Sequence, residues 1–117
     1  MKRNLDLLRA ILLLCENEWE PGEYIRPTPE LLRGFGTVDQ AIVNEHIQLL
    51  GDADFIEYKS HMSSRPFYIE RVTNAGYDFL MATRDPTFWE DIRPIVEQYP
   101  LGKISTVIYD HLLKRIK

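Results

Sequence analysis

HIQLLGDADFIEYKS, His46–Ser60, decides how this chain is to be read, because three signals meet in it. A helical apolar period ends at Leu49-Leu50, a turn runs through Gly51 to Asp54, and β-favouring residues begin at Phe55-Ile56. Upstream, Val38, Ile42 and Leu49, with Val43, Ile47 and Leu50, share one face of a helix predicted over residues 38–50. Thr37 opens a T-x-x-Q capping box, in which Gln40 reaches back to the Thr37 amide. Downstream, FIEY and PFYIERV flank the polar KSHMSSR, which predicts a two-stranded hairpin with its tip within 59–66. Asp54 falls where the turn favours a left-handed residue, a conformation Asp tolerates better than most.

Working outward, Leu5, Leu8, Leu12 and Cys15, with Leu7, Ile11 and Leu14, form a broad helical stripe. Asn4 is its expected N-cap, and Pro21-Gly22 breaks the chain after it. Residues 24–36 read either as a one-turn helix capped by Thr28 and stopped at Gly34, or as a strand and loop. After the hairpin, Thr73 or Asn74 caps a helix through Tyr77, Leu80 and Met81, and Asp85-Pro86 starts the next. Pro94 is expected to kink or end that helix. A last helix carries Ile104, Val107, Ile108, Leu112 and Ile116 on one stripe, with Lys103, Lys114, Arg115 and Lys117 on its other side. The expected class is α+β, mainly α: a winged helix-turn-helix with a two-stranded wing and additional C-terminal helices. It is expected as a single domain over 1–117, with a core at about 3–83 and a helical extension at about 85–117.

A chain of 117 residues, 44% hydrophobic and 27% charged, has the composition of an ordinary globular protein and needs no staples. The single Cys15 cannot form an intrachain disulfide and lies among leucines, where a buried thiol is expected. The apolar run Ala10–Cys15 is too short to span a bilayer, and no small-residue cleavage site follows the N-terminal MKR, so a cytoplasmic location is expected. Net charge is −4, unevenly spread: residues 16–36 sum to −3 and residues 37–56 to −4, whereas 103–117 sum to +3. Tight non-specific nucleic-acid binding is disfavoured by that balance.

Three stretches resemble a known family. MKRNLDLLRAILL is similar to the opening of an uncharacterised domain-of-unknown-function family of bacteria and their phages, which begins MKR-x-x-D-L-x-R. RVTNAGYDFLMATRDPTFW resembles that family's second signature, with Val72 standing where the signature has Leu. VNEHIQLLGDADFIE resembles the segment between them; Pro21 to Gly36 has no match. The resemblance implies a winged-helix-like fold and a bacterial or phage source. It implies no activity and brings no functional residues.

The chemistry of an enzyme is not legible. His46, His61 and His111 are far apart, no Cys or His lies at zinc-ligand spacing from another, and there is no Gly-rich phosphate loop. No enzymatic activity, cofactor or metal is expected. For DNA reading, Gln40, Asn44, Glu45 and Gln48 lie opposite the core face of the 38–50 helix; Asn44 and Gln48, four apart, can pair with adenine. Lys59, His61 and Arg65 in the wing, with Lys2 and Arg3, would anchor phosphates. Against this, no Lys or Arg occurs from Thr37 to Ile56, while Asp39, Glu45, Asp52 and Asp54 do. The sequence therefore supports two readings: a DNA-binding regulator of modest affinity, docking as a dimer, or a protein-interaction module that uses an acidic helix face. Leu13, at the edge of the first stripe, points to burial on more than one side of that helix and to self-association through the terminal helices.

Overall fold

The computed structural model describes residues 2–32, 34, 38–60, 65–100 and 103–116. Its order is α1 (Leu5–Glu18), α2 (Gln40–Asp52), β1 (Ile56–Lys59), β2 (Tyr68–Val72), α3 (Asn74–Ala82), α4 (Pro86–Val96) and α5 (Ile104–Ile116). The architecture is mixed α+β and mainly helical, with an antiparallel two-stranded sheet.

α1 is the central helix. Asn4 caps it, its side chain accepting from the Leu7 amide at 3.2 Å. Leu5, Leu7, Leu8, Ile11, Leu12 and Cys15 are all buried, a wider stripe than one packing surface requires. Burial pushes the Cys15 thiol up to about 12, so it is an inert packing group. The polar residues of α1 fasten it to the far end of the chain. Asp6 accepts from the Trp89 indole at 2.9 Å and from Arg93 at 2.7 Å. Arg9 donates to the Thr83 carbonyl at 2.8 Å, and Glu16 pairs with Arg84 through both carboxylate oxygens. Trp19, at the C-terminal cap, donates its indole N–H to the Glu70 carbonyl at 2.7 Å and so holds the end of α1 on β2.

The segment after α1 contains both of the expected alternatives in miniature. Ile25 forms an isolated antiparallel bridge with Ile69 through reciprocal hydrogen bonds of 3.0 and 2.7 Å. One helical turn follows, the Leu32 amide donating to the Thr28 carbonyl at 3.2 Å, and buried Leu32 anchors it to the core. Gly34 adopts a φ of 88°, the left-handed geometry expected of a stop.

α2 begins two residues later than expected. Its N-cap is Asp39, whose carboxylate accepts from the Ile42 amide at 3.0 Å; Thr37 lies outside the described residues. The capping box is thereby corrected. Gln40 donates instead to the Pro27 carbonyl and to Asn44 Oδ1, both at 3.0 Å. Asp54 carries the positive φ expected of it, 61°. The strands pair Ile56 with Val72 and Lys59 with Tyr68, with a bulge at Glu57/Tyr58. The expected hairpin is present, and residues 61–64 of its tip lie outside the described residues.

Thr73 caps α3 and also donates to the Asp54 carbonyl, locking the turn before β1 to the helix after β2. Gly76 lies against the Phe55 carbonyl, where a Cβ would collide with backbone. Asp85 and Pro86 start α4 as expected. Pro94 does not end it: the helix runs on to Val96, and the donor that Pro94 lacks would have served the carbonyl of Glu90. Phe55, Phe79 and Trp89 form an aromatic column, with ring centroids 5.4 and 5.8 Å apart. α5 packs on α3 and α4 through buried Ile104 and Ile108. The side chains of Leu112, Arg115 and Ile116, and Lys117 as a whole, lie outside the described residues.

Candidate functional site

Two surfaces compete for the role. The first is the face of α2 expected to read bases. Its exposed residues are Ala41, Glu45, Gln48 and Asp52, at i, i+4, i+7 and i+11. Asn44 is not among them. It is 4% exposed, its Oδ1 accepts from the Phe67 amide and from Gln40, and its Nδ2 donates to the Arg65 carbonyl at 2.9 Å. Asn44 lies beside the apolar stripe rather than opposite it, and residues 65–67 cover that flank. Its amide is an internal clamp on the hairpin. Gln40 is half-buried by the same network, so Gln48 alone of the three amides faces solvent. The exposed stripe carries two acids and no cation.

The phosphate anchors are thinly spread. Lys59 lies 3.9 Å from Glu70, and Arg71 pairs with Glu57 at 3.0 Å across the strands. Such exposed pairs contribute little stability, about 0–1 kcal/mol, but they cancel charge locally. Arg65 is exposed beside the tip, His61 lies outside the described residues, Lys2 is exposed, and Arg3 donates to the Tyr99 carbonyl at 2.9 Å.

His46 is fully buried in α2, a placement its spacing from Val43, Ile47 and Leu50 signals. Nε2 accepts from the Asn4 amide at 3.0 Å and Nδ1 donates to the Ile42 carbonyl at 2.8 Å, which fixes the neutral tautomer. Burial pushes its pKa below the ordinary histidine value. It joins the start of α1 to α2 and faces no solvent. Among the described residues, no three or more His, Cys, Asp or Glu are grouped to hold a metal ion, and no helix is long and apolar enough to cross a membrane.

The second surface is a groove of about 590 Å³ between α1 and the Tyr24–Leu32 arm. Ala10, Leu13, Leu14, Ile25 and Leu32 give it an apolar floor, and Asn17, Glu18, Arg26 and Glu30 give it a polar rim. Leu31, 54% exposed, forms one lip. Tyr24, 56% exposed, forms another and is steadied by Tyr68 at a centroid distance of 4.8 Å. The Arg26 guanidinium lies 5.7 Å over the same Tyr68 ring, so β2 sets the position of both rim residues. With Glu20 and Glu23 exposed nearby, the rim is predominantly acidic. Leu13 marked this surface in the sequence. The arm opposite it carried no such signal, because its position depends on the long-range bridge from Ile25 to Ile69.

The family described as "Hypothetical protein (DUF2513)" matches residues 2–102. The chain belongs to that family. The match takes in the groove, α2 and the hairpin, and α5 follows it. This DUF2513 chain is also 30% identical over 103 residues to an "Uncharacterized protein" of Haemophilus influenzae, covering 86% of this chain and 83% of the relative. No solved structure matches it.

Proposed function

We propose that this chain is a protein-interaction module on a winged-helix scaffold, and that it docks an apolar, net basic segment in the groove between α1 and the Tyr24–Leu32 arm. The observation that carries the reading is the groove itself: leucines and alanine on its floor, exposed Leu31 and Tyr24 at its lips, and carboxylates around it. Concave apolar surface with a mainly acidic rim favours an amphipathic segment that is net basic. The scaffold reading is supported by the order of elements, by the Ile25 bridge beside β2 and by left-handed Asp54.

A DNA-binding regulator is the second reading. Exposed Arg65 beside the hairpin tip favours it, and the acidic stripe of α2 weighs against it. Affinity from phosphate contacts scales with the cations available, and this surface offers few. One titration separates the two readings. The isotope-labelled full chain is followed by backbone chemical shifts against a synthetic leucine–lysine amphipathic peptide and, separately, a random DNA duplex at low salt. The interaction reading expects shifts at Leu13, Leu14 and Leu31 with the peptide and none there with DNA. DNA-induced shifts at Gln48, Lys59 and Arg65, with the groove silent to peptide, would refute it.

A further inference from the structure

We infer that the occupant of the groove is α5 of a second copy of this chain, an assignment that rests on the interaction reading above and names its partner. Within one copy, α5 turns Ile104 and Ile108 inward against α3 and α4. That leaves Tyr109 60% exposed and Leu113 45% exposed, one helical turn apart on the same side. Two large apolar residues at i and i+4 are the anchor pattern by which a helix seats in a groove.

Charge selects the pairing. The groove is lined by Glu18 and Glu30 against Arg26, with Glu20 and Glu23 exposed beside it, whereas the described charges at α5 are Lys103 and Lys114 against Asp110. Lys103, just before α5, and Lys114 on it are exposed, where they can meet Glu18 and Glu30 on the groove's two banks. The lysines steer and orient the helix, and Tyr109 and Leu113 supply the burial. Each copy has one groove and one such helix, so reciprocal insertion closes a two-fold dimer and leaves neither apolar surface in water.

The test is a complementation experiment on the full chain. Leu31→Asp spoils the groove lip and leaves α5 intact; Leu113→Asp spoils the anchor and leaves the groove intact. Both residues are exposed in one copy, so both variants should keep the wild-type circular dichroism spectrum, and their unfolding midpoints should fall only by what weaker dimerisation removes, matching wild type at concentrations where all are monomeric. Sedimentation velocity from low to high micromolar concentration should show a wild-type dimer that salt weakens. Each variant alone should dimerise at least about tenfold more weakly. An equimolar mixture should recover a mixed dimer, since one groove and one anchor remain to pair. A monomeric wild type at high micromolar concentration overturns the assignment, and so does a mixture no better than either variant alone. If the chain is monomeric while the leucine–lysine peptide still shifts Leu13, Leu14 and Leu31, the second-copy assignment fails and the groove reading survives. If the peptide shifts nothing either, both fail.

Discussion

Replacing Asn44 with alanine separates an internal clamp from a base-reading side chain. The substitution removes the acceptor for the Phe67 amide and for Gln40, and the donor to the Arg65 carbonyl. Arg65 is exposed and Gln40 half-buried, so water can replace those bonds at small cost. The Phe67 amide is part-buried beside Asn44, and a donor left unsatisfied there costs up to about 1–3 kcal/mol. Alanine returns roughly 0.5 kcal/mol through its higher helix propensity. The truncated side chain of a residue only 4% exposed also leaves a small void. The net expectation is a loss of about 2 kcal/mol, or roughly 8 °C in Tm for a domain of this size. The assay is urea unfolding followed by circular dichroism, with Gln48→Ala as the exposed control, expected within about 0.5 kcal/mol of wild type. If Asn44→Ala is as stable as Gln48→Ala, the clamp is not where the geometry puts it, and Asn44 is free for another role.

Gly76→Ala should cost at least about 2 kcal/mol, because the new Cβ meets the Phe55 carbonyl and lies 2.6 Å from Val72 Cγ1. Gly51→Ala should cost less, since the atoms it meets belong to the Tyr58 ring, which can swing aside; chemical denaturation of the pair checks the ranking. Trp19→Phe, which keeps a ring but loses the bond to the Glu70 carbonyl, should cost about 1 kcal/mol in the same assay. His46 has a folded pKa below its unfolded value, so its contribution is complete above about pH 6.5. As pH falls below that value the unfolded chain binds the proton first, and stability drops by at most about 1.4 kcal/mol per pH unit until the folded pKa is passed. The stability gap between wild type and His46→Gln should therefore narrow on acidification through that window, and a gap independent of pH contradicts the assigned tautomer.

Much of the fold was legible because local chemistry determined it. Asn4, Thr73 and Asp85-Pro86 each satisfy helix-terminal amides in a way visible within four residues. The left-handed turn at Asp54 and the alternation around the hairpin are equally local. The site was less legible. Asn44 reads as a surface amide until residues 65–67 are laid over it, and Trp19 reads as a loop aromatic until Glu70 arrives beneath its N–H. The capping box failed by competition: Asp39 sits closer to the helix start, and Gln40 finds its partner at Pro27. The groove needed the Ile25 bridge, which no period in residues 24–36 announces.

The bonds from Asp6 to Trp89 and Arg93 set a timetable for synthesis. The leucine-rich α1 is made long before the α4 partners of Asp6, which lie 83 and 87 residues downstream. At roughly 5–20 residues per second, the leucines of the first helix wait several seconds before the indole and guanidinium that complete their surroundings are made. Loop closure over so long a span is slow compared with local helix formation. Through that interval α2 and β2 can already cover part of α1, but the side of the helix that carries Asp6 waits for α4. The carboxylate that secures the finished molecule cannot shield it while it is being made.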